Sequence, residues 1–145
     1  MKKIKIGIIN FSDNPLPEYK KKGDSGMDIR ANENQIVRMN EIKIIHTNIL
    51  VEIPDGYEIQ IRSRSGLAAK HGVFVLNEPG TIDSSYRGEI MIILHNVGEE
   101  NFIVNKGDRI AQLVLQKVPK IKWKTNCQLS KTDRGTGGFG HTGIK

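Results

Sequence analysis

A single cysteine, Cys127, is all the thiol chemistry this chain holds. No disulfide can close within it, and no cysteine-based zinc ribbon can be built. Aromatic residues are scarce too, with four Phe, three Tyr and one Trp in 145 residues. No stretch interleaves them with Lys or Arg, as a stacking platform for single-stranded nucleic acid would. No apolar run approaches the roughly 18 residues that a membrane helix needs. The opening Met1-Lys2-Lys3-Ile4-Lys5 is basic, but no apolar stretch or cleavage site follows, so a secretory signal is not expected. Acidic residues are also short, 16 against 22 Lys and Arg, giving a net charge of +6 and a pI near 9.5. These shortages exclude a secreted scaffold and a membrane span, and they favour a reducing, cytoplasmic setting. The surplus of positive charge points to a polyanionic partner.

What the chain has is period-two alternation. Lys3-Ile4-Lys5-Ile6-Gly7-Ile8 and Gly56-Tyr57-Glu58-Ile59-Gln60-Ile61-Arg62 place apolar residues on one face of a strand. Glu89–Leu94 and Ile110–Leu115 are nearly continuous apolar runs, the pattern of strands covered on both faces. Ile121-Lys122-Trp123-Lys124 is a further short alternating piece. Turn signals separate them: Asn14-Pro15, Pro54-Asp55-Gly56, Glu78-Pro79-Gly80, Asn96-Val97-Gly98 and Asn105-Lys106-Gly107. Strands at about ten-residue spacing predict one compact all-β sandwich or barrel over residues 1–130. A single short helix is expected around Gly66–His71, ended by Gly72. Residues 131–145 hold five glycines and one aromatic, Phe139, too little apolar surface to fold alone.

Five segments carry residues suited to phosphate and base chemistry. Ser25-Gly26-Met27-Asp28-Ile29-Arg30-Ala31 sets a lone carboxylate, Asp28, just after a glycine, which also reads as a turn entering a strand. Ile61-Arg62-Ser63-Arg64-Ser65-Gly66 ends a strand at a helix start, where Arg64, Ser65 and free amides make an anion site. Its plainer reading is a helix with Ser as N-cap. Leu76–Glu89 has the look of a hairpin. In it Asn77 offers donor and acceptor to a base edge, Asp83 follows an apolar residue and is expected to be partly buried, and Tyr86 makes a flat wall. Asn105–Val114 puts a neutral amide, Gln112, inside an apolar strand, where it needs hydrogen-bond partners. Arg134-Gly135-Thr136-Gly137-Gly138-Phe139-Gly140-His141-Thr142 has the texture of a phosphate loop. It lacks the Gly-Lys-Ser/Thr ending of a Walker A motif.

In this order and spacing the five segments resemble the five motifs of the trimeric deoxyuridine triphosphatases, the dUTPases. The resemblance runs from about Ser25 to Thr142. It implies a distorted jelly-roll β-barrel with a glycine-rich C-terminal arm, assembled as a homotrimer whose active sites lie at subunit junctions. The arm, residues 131–145, would close over a neighbouring subunit's site. The reaction implied is dUTP plus water giving dUMP and pyrophosphate, with Mg²⁺ on the triphosphate, which keeps uracil out of DNA and supplies dUMP. By the same resemblance Asp83 activates the attacking water and Gln112 helps hold it. Arg64, Ser65 and Gly66 bind phosphates, and Asp28 reaches Mg²⁺ through water. Asn77, Gly80, Thr81, Ile82 and Met91 read uracil, and Tyr86 packs under the deoxyribose. From the arm, Phe139 stacks on uracil, while Arg134, Gly140, His141 and Thr142 meet the phosphate end. Met27, Ser85 and His141 depart from the residues more usual in that family.

Two other activities fit the sequence less well. A dCTP deaminase of the same superfamily needs an acid/base carboxylate on the strand after the hairpin, and Ile90–Asn96 holds none. A single-stranded nucleic-acid barrel needs the exposed aromatics that are missing. Neither nucleic acid nor a membrane is therefore an expected partner. Of the seven arginines, six lie inside the five segments and only Arg38 outside. The guanidinium fork suits phosphate oxygens and carboxylates, so the polyanion narrows to a nucleoside triphosphate.

Overall fold

A computed structural model describes residues 3–140. His141 and Thr142, two of the expected phosphate-end residues, lie outside the described residues. In chain order the elements are β1 (Gly7–Asn10), β2 (Met27–Arg30), β3 (Gln35–Val37), β4 (Ile42–Glu52), β5 (Tyr57–Arg62), α1 (Ser65–His71), β6 (Val73–Val75), β7 (Gly80–Ile82), β8 (Glu89–Asn96), β9 (Phe102–Val104) and β10 (Arg109–Lys117). The chain is mostly strand with one short helix, a jelly-roll-like all-β fold. One four-stranded sheet has the order β1-β4-β8-β6, the other β2-β10-β5-β7, and β3 pairs with β9 in a small third sheet. All pairings are antiparallel. The sheets are packed against one another rather than hydrogen-bonded into a closed barrel.

Alternation explains the packing. In β4, Ile45, Thr47, Ile49 and Val51 point inward; in β8, Ile90, Ile92, Leu94 and Asn96 do. They meet Ile59 and Ile61 of β5 and Ile110, Ala111 and Leu113 of β10 in one cluster. Burying each such aliphatic side chain contributes about 1.5–3 kcal/mol. Asn96 is wholly buried, and its amide donates to the carbonyls of Val37 (2.9 Å) and Glu100 (2.8 Å) while accepting from Gly98 N (2.9 Å). A buried amide so satisfied ties β8 to the β9 turn at no desolvation penalty.

The structure corrects several expectations. The N-terminal alternation becomes a strand only from Gly7, where pairing with Glu52 begins. β8 is covered on one face only, leaving Met91 42% exposed. β10 is covered on both faces around Ala111 and Val114, as expected. The segment 76–89 is not a hairpin, because β7 pairs with β5 while β8 pairs with β4 and β6. Its chain crosses from one sheet to the other. Ile121–Lys124 finds no strand partner, and Ile121 and Trp123 stand 75% and 82% exposed. The helix has Arg64, not Ser65, at its N-cap position, with no side-chain cap. Gly72 ends it in the left-handed region at φ 65, as the sequence indicates.

Candidate functional site

β10 lies between β2 and β5, and the register sets Gln112 opposite both Asp28 and Arg62. Directly paired residues share a face, so three sequence segments converge on one patch. Asp28 takes Arg64 Nε on one oxygen (3.2 Å) and Arg109 Nη1 on the other (3.1 Å). Arg64 Nη1 in turn donates to the Arg109 carbonyl (2.8 Å). The result is a closed ring of two guanidiniums, one carboxylate and one carbonyl. Gln112 Nε2 donates to the Ser63 carbonyl (2.8 Å), fixing the amide against the strand that leads into α1. Ser65 and Gly66 open that helix, where the first amides have no helical acceptor. Cationic side chains beside uncapped amides make an anion-binding corner.

A second group lies on the other side of the β7 crossing. Thr81, Ile82, Asp83, Tyr86, Glu89 and Met91, with Ile44 and Ile93 of the first sheet, line a cavity of about 260 Å³. Tyr86 Oη donates to the Glu89 carbonyl (2.8 Å), which holds the ring against Gly88. A Cβ at Gly88 would collide with that ring. Asp83 is exposed at the rim, not partly buried as its place after Ile82 predicts, because β7 ends at Ile82 and nothing in the protomer covers the turn. Asn77 is exposed and does not line this cavity; its amide lies beside buried Gly80, which packs on Ile61.

No hydrogen bond or ion pair among the described residues joins the two groups. The described part of the arm, residues 131–140, hydrogen-bonds to neither. Arg134 Nε donates to the Gly137 carbonyl (2.9 Å) within the arm itself, and Phe139 is fully exposed. Gly140 follows it at φ 85, a conformation that glycine adopts without strain.

A model of the dUTPase family matches residues 12–143. The chain belongs to the dUTPase family. Among curated dUTPases it is 56% identical to the deoxyuridine 5'-triphosphate nucleotidohydrolase of Chlamydia trachomatis over 135 residues, 91% of this chain and 93% of that protein. To the Rickettsia felis protein of the same name it is 52% identical over 143 residues, 97% of each. Among solved structures, the Staphylococcus bacteriophage 80alpha dUTPase with dUpNHpp superposes with a TM-score of 0.84 at 28% identity, over 97% of this chain and 99% of that one. The dUTPase of Staphylococcus aureus phage phi11, which coordinates a structural Mg(II) ion, gives 0.76 at 25% identity, over 90% and 99%.

The dUTPase motifs account for most of both groups, but three participants were not singled out in the sequence. Arg109 completes the ring on Asp28. Gly26 leaves room for Gln112, since a Cβ there would sit 2.5 Å from Gln112 Oε1. Glu89 is the first residue of β8, so the strand expected to hold no carboxylate holds one at its start. One of its oxygens accepts Thr47 N (3.0 Å) and Asn48 N (2.8 Å), and the other meets His46 Nδ1 (2.9 Å). Both are engaged, which disfavours the free acid/base that a deaminase needs.

Proposed function

We propose that this dUTPase hydrolyses dUTP to dUMP and pyrophosphate by attack of water on the α-phosphorus. The carrying observation is the pairing of an anion-binding corner at Asp28, Arg64, Arg109 and α1 with an apolar cavity walled by Tyr86 and Met91, on a chain of this family. The bound dUTP analogue in the phage 80alpha relative supports the same substrate. In the reaction Asp83 accepts a proton from the attacking water as the oxygen–phosphorus bond forms. The α–β bridging bond breaks, and pyrophosphate carries away the electron pair. Gln112 orients the water or an α-phosphate oxygen. Arg64, Ser65 and Gly66 hold the phosphates with charge, hydroxyl and main-chain N–H. Asn77, Gly80, Thr81, Ile82 and Met91 read the base, and Tyr86 lies against the sugar.

Mg²⁺ fits this donor set in one way. Among the described residues no group of three or more His, Cys, Asp or Glu side chains could cage a metal. Asp28 is a lone carboxylate with an arginine already on each oxygen, so it would meet a hard cation arriving on the triphosphate only through that ion's waters. Held there by Asp28 through water, Mg²⁺ would supply charge that offsets the phosphate chain.

The two groups of residues are unconnected within one protomer, and the arm's Phe139 and Arg134 meet neither. A homotrimer with sites at subunit junctions brings the groups together, and the arm, residues 131–145, then closes a neighbour's site with Phe139, Arg134, Gly140, His141 and Thr142. No helix among the described residues is long and apolar enough to cross a membrane. A cytoplasmic enzyme acting on free nucleotide is the corresponding setting. The test is pyrophosphate release from dUTP against dTTP, dCTP and UTP, with and without Mg²⁺ and with and without residues 131–145. A preference for dUTP that needs both the metal and the arm is expected. Equal turnover of all four nucleotides defeats the proposal, and ammonia release from dCTP replaces it with the deaminase.

A further inference from the structure

The longest strand, β4, breaks its own pairing in the middle. Its register with β8 shifts between His46 and Leu50, and Asn48 takes a φ of 55, rare for a residue other than glycine. Such a bulge needs acceptors for the amides it releases from the ladder. Glu89 supplies them, accepting Thr47 N and Asn48 N on one oxygen. Its other oxygen holds the His46 imidazole at 2.9 Å. The main-chain carbonyl of the same Glu89 holds Tyr86 Oη at 2.8 Å. Glu89 thus joins the bulge to the aromatic wall of the cavity it also lines.

We propose that Glu89 and His46 are positioning residues for Tyr86, a clamp through which the protonation of His46 sets how tightly the nucleoside cavity grips its ligand. This rests on the dUTP reading of that cavity. Two charged groups face His46: Glu89 of β8, and Glu33 from the turn before β3, which accepts His46 N at 2.7 Å. The hydrogen bond to Glu89, then its charge and that of Glu33, raise the His46 pKa above its ordinary value near 6.5, against a small opposing effect of burial. For Glu89 burial is the largest influence and acts upward. The hydrogen bonds from His46, Asn48 and Thr47 and the charge of His46 outweigh it, and the pKa falls below the usual carboxylate value. The cation is therefore present below pH 6.5 and lost as pH rises through the raised value, and the clamp loosens in that direction.

The experiment compares the full chain with His46→Gln, which can bond Glu89 but never carries charge, and His46→Lys, which stays charged. His46 is half exposed, so neither change opens the core. KM and kcat for dUTP are read from about pH 5.5 to 8.5, across the histidine range. Wild-type KM is expected to rise roughly two- to fivefold relative to His46→Lys as pH increases, the scale of a partly exposed ion pair. His46→Gln stays at the higher KM throughout, with kcat the same in all three. Contributions from His141 are common to the three proteins and cancel in the comparison. Independently of turnover, the Tyr86 ring resonances follow the His46 titration in wild type and stay constant over the same pH range in His46→Gln. Absence of dUTP turnover with that coupling intact sinks the activity and leaves the clamp standing. A His46→Gln KM profile that tracks wild type, or Tyr86 resonances that ignore the His46 titration, overturns the clamp.

Discussion

The phosphate corner and the nucleoside cavity are built on opposite principles. At the corner the charged and amide side chains are paired within the protomer, with the first amides of α1 left open: Asp28 has two arginines, Arg64 has the Arg109 carbonyl, and Gln112 has Ser63. The cavity instead exposes apolar surface, with Met91 42% and Ile44 52% accessible, and its one acid at the rim is uncovered. The difference follows from what each end would bind in the proposed dUTP hydrolysis. A triphosphate is held by fixed charges whose cost of alignment has been met before it arrives. A planar base is held by burial, which takes effect only when something covers it. One end is already aligned within the protomer and the other is left open.

The hardest test of that division is the acid at the cavity rim. Asp83→Asn keeps the size and hydrogen-bonding of the side chain while removing the base. Nucleotide binding should stay within a few-fold of wild type while kcat falls by roughly 10²–10⁴, the usual loss for a general base. Isothermal titration with dUpNHpp and single-turnover hydrolysis separate the two. A matching loss of affinity would mean that Asp83 serves to hold the nucleotide.

Next comes the corner itself. Arg109→Met removes one of the two cations on Asp28 but keeps a long side chain. A charge-assisted hydrogen bond is worth about 1.5–3 kcal/mol, and Arg109 is 42% exposed, so solvent screening reduces this to a loss of about tenfold in kcat/KM. The loss should fall on the triphosphate and spare dUMP, whose base and sugar lie at the other end. Equal weakening of dUMP and dUTP would show that Arg109 supports the fold as a whole.

How far each end was legible in the sequence follows the same division. β5, β10 and the short helix were readable because periodicity or an apolar run marks them and Gly56, Gly107 and Gly72 punctuate them. β4 was not, since its bulge at His46–Leu50 interrupts the period that would have announced eleven residues of strand. Ile121–Trp123 has the period without the strand, because alternation reports a face to be covered and no sheet edge of its own protomer covers it. The motif residues were found individually. Arg109, Gly26 and Glu89 were missed, because each acts through a strand pairing (β2 with β10, β4 with β8) that no local spacing reveals.

Two glycines allow the comparison to be drawn with one methyl group each. Gly26 faces Gln112 Oε1 and Gly88 faces the Tyr86 ring, and in both cases the crowded side chain is tethered by a single neutral hydrogen bond, to Ser63 O or to Glu89 O. Neither glycine has the positive φ that would itself strain an alanine. Gly26→Ala and Gly88→Ala should therefore each cost about one such bond, 0.5–1.5 kcal/mol, or a two- to tenfold change. The two effects should appear in different constants. Displacing Gln112 disturbs the water and α-phosphate, so Gly26→Ala lowers kcat with KM little changed. Displacing Tyr86 disturbs the sugar wall in ground and transition states alike, so Gly88→Ala raises KM with kcat little changed. Steady-state kinetics on dUTP read both. If the two alanines shift the same constant, the two ends form one mechanical unit and the division between a finished corner and an unfinished cavity does not hold.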